Sequence, residues 1–196
     1  GFDALVPVRQ LPLPGQHNLN NALAALAIGK ALDFSIEQLL PGLMTFKGLP
    51  HRCEVVGDAN GVRWINDSKG TNVGATEAAL RGIGGDQNVF LIVGGVGKNQ
   101  DFTPLRSAVE QHCRRVLTLG EAARDLELAL GNVTPTQRVV NLGAAIDRAG
   151  QLARPGDIVL LSPACASFDM FIDFKARGDC FRQLVQQHLA TLKVAQ

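Results

Sequence analysis

The chain has 196 residues, 46% of them hydrophobic, and its 19 Lys and Arg against 18 Asp and Glu leave a net charge of +1. That length suits one full domain, or one domain with part of another, and a core that needs no staples. Dispersed basic residues and a near-neutral charge argue against nucleic acid or an anionic membrane as partner, and no apolar run is long enough to span a bilayer. The four cysteines form no C-x-x-C pair and no disulfide framework, and the first residues are not signal-like, so the chain reads as cytosolic.

A strand-like piece over residues 4–8 leads into the Pro-rich Leu11-Pro12-Leu13-Pro14-Gly15. A lone strand with no partner reads as part of a longer protein. Apolar residues at Leu19, Leu23, Leu26 and Ala27 predict a helix over 18–32. Ser35 then caps a short helix over 35–40, which Pro41-Gly42 is expected to end. Gly48 and Pro50 mark a linker over 46–50, with Lys47-Gly48 as a hinge.

From Arg52 the periodicity is that of strands. Residues 53–56 and 62–65 flank Asn60-Gly61, a hairpin signal. Helices over 76–80, 105–113, 122–130 and 144–153 then alternate with apolar strands over 89–93, 115–119, 138–142 and 158–161, and a terminal helix is predicted over about 170–192. This alternation predicts an α/β fold with a Rossmann-like, doubly wound, mostly parallel sheet. Ligands in such sheets bind outside the carboxyl ends of the strands. The segments there are Asn66-Asp67-Ser68-Lys69-Gly70-Thr71-Asn72, Gly94-Gly95-Val96-Gly97-Lys98, Gly120-Glu121, Gly143 and Ser162 to Ser167.

Three of these segments carry chemistry. Ser162-Pro163-Ala164-Cys165-Ala166-Ser167 places hydroxyls and free amides between a strand end and a helix start, where a carboxylate or phosphate binds; serine caps of the helix are the plain alternative. In the first segment Lys69 is suited to an anion and Asp67 to a hydroxyl or Mg²⁺-bound water, although both also serve to cap and solvate a helix. The glycine run is neither a Walker A loop, because Asn99 follows Lys98, nor a dinucleotide fingerprint, because Gln100 stands at its last glycine position. Its glycines therefore suit a tight turn, with Lys98 a point charge for a carboxylate.

Nothing places His17 or His51 beside Cys165, which reads as a packed thiol rather than a nucleophile. His112 and His188 fall on helices and read as surface or boundary residues, and no histidine spacing suits a metal. Asn18, ahead of the first strong helix, is either its N-cap or an amide that reads adenine.

Together, Leu13-Pro14-Gly15-Gln16-His17-Asn18, Gly48-Leu49-Pro50-His51-Arg52, Trp64 to Asn72, Gly94 to Lys98, and Leu161 to Ser167 with Phe174 and Arg177-Gly178 resemble the Mur ligase family, in order, from about Leu11 to Leu192. The Ser-Pro-Ala-Cys-Ala-Ser-Phe-Asp loop is most similar to that of the members that add D-glutamate. The resemblance implies that residues 1–48 are the helical tail of a central ATP-binding domain and 49–196 a C-terminal Rossmann-like, amino-acid-binding domain. It implies Asn18 and Asn21 at adenine, Arg52 at the nucleotide phosphates, and Asp67 at the ribose. Lys69, Thr71, Lys98, Ser167 and Phe174 would line the D-glutamate pocket, with Lys69 also steadying developing charge.

The implied partners are ATP, Mg²⁺ held mainly by upstream residues, D-glutamate and UDP-N-acetylmuramoyl-L-alanine. The phosphate loop and the domain holding the UDP group would also lie upstream, so the segment alone is expected to be inactive. Three rivals stand beside this reading. They are a folylpolyglutamate synthase-type ligase, which the Ser162 to Asp169 loop disfavours, a nucleotide-binding oxidoreductase, and a non-catalytic amino-acid-binding module.

Overall fold

A computed structural model describes residues 5–12 and 16–194. The chain divides into two compact units, Gly1–Leu49 and Pro50–Gln196.

In the first unit the strand expected over 4–8 does not form among the described residues. Instead the Pro7 carbonyl accepts the Gln10 N–H, closing a single 3-10 turn at Val8–Gln10. Helix α1 runs Gln16–Ala31 and α2 runs Ile36–Thr45. Asn18 therefore lies inside the first turn of α1 rather than at its N-cap. Ser35 caps α2 as expected, with the Gln38 side chain accepting the Ser35 N–H at 2.8 Å. Pro41 does not end α2. Its missing N–H withdraws one intrahelical donor from a ten-residue helix that buries none of its residues, and Thr45 Oγ1 donates back to the Pro41 carbonyl at 2.9 Å. Gly29 lets the helices meet closely, since a Cβ there would press into the Leu39 side chain.

The second unit opens with an antiparallel hairpin, β1 (Glu54–Ala59) and β2 (Val62–Asn66), joined through Asn60 and Gly61 at φ 54° and 73°. Two positive φ angles are what a two-residue loop between right-twisted strands demands. Then follow α3 (Val73–Ile83), β3 (Val89–Gly94), α4 (Arg106–His112), β4 (Cys113–Leu119), α5 (Ala123–Leu130), β5 (Thr136–Arg138), α6 (Leu142–Leu152), β6 (Ile158–Leu161) and α7 (Phe174–Val194). The six strands lie in the order β1-β2-β6-β3-β4-β5, and every pairing after the hairpin is parallel.

Side chains alternate through the sheet. Val89, Leu91 and Val93 of β3 join Leu80, Val109 and Leu126 on the face covered by α3, α4 and α5. Phe90 and Ile92 join Trp64, Ile146, Phe181 and Val185 on the face covered by α6 and α7. Both faces are covered, which is why β3 reads as one continuous apolar run.

Two element starts and one burial differ from the sequence reading. Leu142 opens α6 instead of closing β5, because the Asn141 side chain accepts the Ala144 N–H and caps the helix. The helix expected from about residue 170 begins only at Phe174. Before it, the Ser167 carbonyl takes the Met170 and Phe171 N–H groups in a turn, and Asp173 Oδ1 accepts the Ala176 N–H to start the helix. His112 is buried rather than at the surface, 7% exposed, with Nδ1 2.9 Å from the Gly85 carbonyl.

The strand order reverses at the β3–β6 pair. From β3 the chain steps outward to β4 and β5, then returns to insert β6 on the other side. In open α/β sheets the crevice at such a switch, outside the carboxyl ends of the strands, is where ligands sit.

Candidate functional site

The loops after β2, β3 and β6 meet at that crevice, and backbone bonds tie them together. The Gly94 N–H donates to the Pro163 carbonyl at 2.9 Å and the Ala164 N–H to the Gly70 carbonyl at 2.9 Å. Val96 and Ala166 exchange N–H···O bonds of 2.9 and 3.1 Å. The glycines make these approaches possible. Gly94 and Gly95 sit at φ 138° and 129°, and a Cβ on Gly95 would collide with the Ala166 carbonyl oxygen. The tight-turn reading of the glycine run is thus what the backbone requires. Gly95→Ala is expected to cost at least 2 kcal/mol, measured by urea unfolding; wild-type stability would show that the loops can part freely.

Side chains continue the cross-linking. Ser162 Oγ donates to Asp67 Oδ2 at 2.7 Å, and the Cys53 N–H donates to Asp67 Oδ1 at 3.2 Å. Burial pushes the Asp67 carboxyl up to about 6, against the pull of these bonds and of Arg52. Arg177, 1% exposed, reaches from α7 to both neighbouring loops. Its Nε donates to Ser68 Oγ at 3.0 Å, Nη2 to the Ser68 carbonyl at 3.0 Å, and Nη1 and Nη2 to the Cys165 carbonyl at 3.2 Å. Asp169 Oδ2 accepts the Glu121 N–H at 3.1 Å, joining the Ser162–Ser167 loop to the turn after β4.

Above this frame stand the other candidate groups of the three loops and the start of α7. Lys69 and Lys98 are exposed, Thr71 and Phe174 half-buried, and Ser167 buried at the loop end. Lys69 Nζ lies 4.3 Å from the centroid of the Phe174 ring, a cation–π contact that aims the ammonium along the rim. Lys98 is held at φ 53° beside Asn99 at φ 54°, and Ala164 stands at φ 55°. Left-handed conformations cost a non-glycine residue about 1–3 kcal/mol and persist where surrounding contacts enforce them.

Arg52 is exposed, follows His51 at φ 63°, and lies near enough to Asp67 to favour its ionised form. The His51 ring is buried beneath it. The Asn66 side-chain amide donates to His51 Nδ1 at 3.1 Å and to the Gly178 carbonyl at 3.0 Å, so Nε2 carries the ring proton and faces Asp179 at 3.8 Å.

The second unit therefore brings Arg52, Asp67, Lys69, Thr71, Lys98, Ser167 and Phe174 to one edge of its sheet. Asn18 and Asn21 belong to the first unit, where they line a cavity of about 330 Å³ walled by apolar side chains such as Leu26, Leu39 and Phe46. Cys165 is no nucleophile, because burial before all else pushes its thiol up to about 12. The side chain of His17 lies outside the described residues. Among the described residues no group of three or more His, Cys, Asp or Glu is placed to hold a metal ion. Two residues that shape the edge, Arg177 and Gln100, have no role that the sequence alone assigns. An arginine within the first turn of a helix that leaves a ligand loop, and an amide two positions after the rim lysine, were the available signals.

This arrangement defines an α/β domain of the open, doubly wound kind, with Lys69 and Lys98 exposed at the carboxyl edge of its sheet. Residues 51–165 match the family described as Mur ligase, glutamate ligase domain, and the chain belongs to the Mur ligase family. It is 52% identical over 190 residues to the UDP-N-acetylmuramoylalanine–D-glutamate ligase of Nitrosococcus oceani, covering 97% of this chain and 42% of that protein. Against the enzyme of the same name from Thiobacillus denitrificans it is 53% identical over 188 residues, covering 95% and 40%. The chain thus spans about two fifths of the length of these curated relatives.

Among solved structures, the UDP-N-acetylmuramate-alanine ligase of Thermotoga maritima shares the fold with TM-score 0.68 at 18% identity, over 91% of this chain and 40% of that one. A Mycobacterium tuberculosis folylpolyglutamate synthase does so with TM-score 0.67 at 22% identity, over 87% and 41%.

Proposed function

We propose that the rim receives D-glutamate as the incoming amino acid of an ATP-dependent, amide-forming ligase, acting on UDP-N-acetylmuramoyl-L-alanine in peptidoglycan precursor synthesis. The observation that carries this reading is the convergence of Lys69, Lys98, Thr71 and Ser167 on one edge of a domain about half identical to proteins named for that activity. A dicarboxylate needs cations and hydroxyls at two separated points, and the loops after β2 and β3 each supply a lysine.

In this reading residues 1–48 close a central ATP-binding domain. The exposed Leu23 and Ile28 of α1, with Leu32 just beyond its end, offer apolar surface for the rest of such a domain to cover. The cavity beside Asn18 and Asn21 suits a flat, partly apolar base such as adenine, whose edge an amide matches in donor and acceptor. Arg52 serves the phosphates and Asp67 the ribose. Mg²⁺ supplies charge neutralisation of the polyphosphate when bound, through residues other than those described. Nucleotide-linked substrates place the enzyme in the cytoplasm, and no helix among the described residues is long and apolar enough to cross a membrane.

The alanyl carboxylate takes the terminal phosphoryl group of ATP. The amine of D-glutamate then adds to the acyl carbon, and the tetrahedral intermediate expels phosphate as the amide forms and the amine proton departs. Lys98, Thr71 and Ser167 hold the carboxylates away from the reacting nitrogen, while Lys69, steered by Phe174, faces the charge that develops on oxygen.

The test is phosphate release by a protein of the relatives' full length that contains this chain, given ATP, Mg²⁺ and UDP-N-acetylmuramoyl-L-alanine. Release is expected with D-glutamate and not with L-glutamate or without an amino acid. L-glutamate preference would move the assignment to a sister ligase, and no release would leave an amino-acid-binding module. The 196-residue chain by itself is expected to release none. Lys98→Ala is expected to raise the KM for D-glutamate about 10- to 150-fold, the equivalent of one charge-assisted contact of about 1.5–3 kcal/mol, with kcat little changed. Lys69→Ala should lower kcat as well.

A further inference from the structure

We infer that Gln100 is the positioning residue that sets where Lys98 stands relative to Ser167 and Thr71, and thereby the tightness and selectivity of amino-acid binding. The inference rests on the D-glutamate reading of the rim. Gln100 is not among the residues expected to hold the ligand. Its side-chain amide is a node between all three rim loops: Nε2 donates to the Ala164 carbonyl at 2.6 Å, and Oε1 accepts the Val73 N–H at 3.4 Å. Its own N–H closes the turn on the Gly97 carbonyl at 3.2 Å. One side chain thus fastens the segment carrying Lys98 to the Ser162–Ser167 loop and to the start of α3, two residues beyond Thr71.

What it fastens resists its own geometry. Lys98, Asn99 and Ala164 all hold left-handed backbone at φ 53–55°, which residues bearing a Cβ leave when released. The Val96–Ala166 exchange fixes the near end of the glycine loop, but Lys98 lies beyond it, between that bridge and Gln100. With both ends held, the ammonium is placed; with the Gln100 end free, it can swing. The carboxylates of glutamate lie at a fixed spacing along the chain, so a displaced Lys98 loses one of them while the reacting amine is still presented. The loss falls on ground-state and transition-state binding alike, which raises KM and spares kcat. It also narrows the gap between enantiomers, because stereoselectivity requires all the contact points at once.

The test uses Gln100→Met, which keeps length and volume but has no amide, and Gln100→Glu, which keeps an acceptor for Val73 and removes the donor to Ala164. Gln87→Met is the control. It removes a comparable amide-to-carbonyl tether, from Gln87 Nε2 to the Glu110 carbonyl at 3.4 Å, at the opposite end of β3.

In the 196-residue chain, hydrogen exchange at the Val73 and Ala166 amides should quicken in Gln100→Met at unchanged global stability. Unchanged exchange there overturns the tether. In the full-length protein, both Gln100 variants should raise the KM for D-glutamate at least tenfold with kcat within threefold, leave the KM for ATP unchanged and reduce D-over-L selectivity, while Gln87→Met changes none of these. Should Gln100→Met fail to fold, Gln100→Glu carries the test. An active wild-type protein whose Gln100 variants keep a normal KM, or lose kcat and KM in equal measure with stability, overturns the role of Gln100 alone. A wild-type protein with no D-glutamate-dependent release overturns the reading of the rim, and this role with it.

Discussion

Replacing Arg177 by alanine is expected to cost about 3–5 kcal/mol of stability, one of the largest effects a single substitution in this chain should produce. The guanidinium is 1% exposed and directs its donors at Ser68 Oγ and at the carbonyls of Ser68 and Cys165. Among the described residues no carboxylate bonds to it directly; the Ser68 hydroxyl and backbone carbonyls from two loops hold it. Burial pulls its pKa down to about 10, so it still carries its charge at neutral pH. Alanine removes every donor and leaves a cavity the size of the side chain. The two carbonyls then stay buried without partners, at about 1–3 kcal/mol each.

Arg177→Met separates those contributions. Methionine refills most of the volume but supplies no donor, so it should recover the cavity part and remain about 2 kcal/mol or more below wild type. Lysine offers one compact ammonium where a planar fork serves two loops, and should also fall short. Urea unfolding of the 196-residue chain measures all three. Wild-type stability in Arg177→Met would show that the loops find other partners, and that the guanidinium is not what joins them. In the full-length protein the same variants should weaken D-glutamate binding, because Lys69 and Ser167 lie one and two residues beyond the loop atoms that Arg177 grips.

The sheet was legible in the sequence because its parts are locally determined. Asn60-Gly61 dictates a hairpin through positive φ, and the apolar run from Val89 declares a strand covered on both faces. The loops that follow such strands must then share an edge. Local signals failed at the ends of elements. Residues 168–171 have a helical apolar pattern, yet the Ser167 carbonyl captures the amides of Met170 and Phe171 and delays the helix to Phe174. Pro41 reads as a stop, yet α2 continues past it.

At the rim, charged residues after a strand announce themselves, so Lys69 and Lys98 were visible. Arg177 and Gln100 were not, because their partners are mostly backbone groups 12 to 109 positions away, and no pattern of residue types encodes a bond to a distant backbone group.

Asp67→Asn is expected to stabilise the chain at neutral pH while impairing the function the rim serves. The carboxyl ordinarily titrates at 3.8 and burial lifts it to about 6 in the folded protein. Between those values the folded chain keeps a proton that the unfolded chain has lost. The associated stability is fully present below pH 3.8 and is lost as pH rises through about 6. At pH 7.5 the ionised, 7% exposed carboxylate therefore opposes folding by about 3 kcal/mol, from 1.36 kcal/mol per pH unit.

Asparagine occupies the same space without ionising. Its Oδ1 still accepts the Cys53 N–H, its amide donates to Ser162 Oγ, and the Ser162 hydroxyl turns to Thr76 Oγ1, 3.0 Å away. The net gain should be about 1–3 kcal/mol at pH 7.5 and close to zero at pH 4, read from urea unfolding of the two proteins at both pH values. A loss of stability at pH 7.5, or a gain that does not shrink on acidification, would mean that the carboxylate is not held ionised against its surroundings. A buried charge retained at a cost to folding is the mark of a group kept for its chemistry. On the proposed role of Asp67 at the ribose, the same variant in the full-length protein should raise the KM for ATP, since an amide is a poorer acceptor than a carboxylate for paired hydroxyl groups.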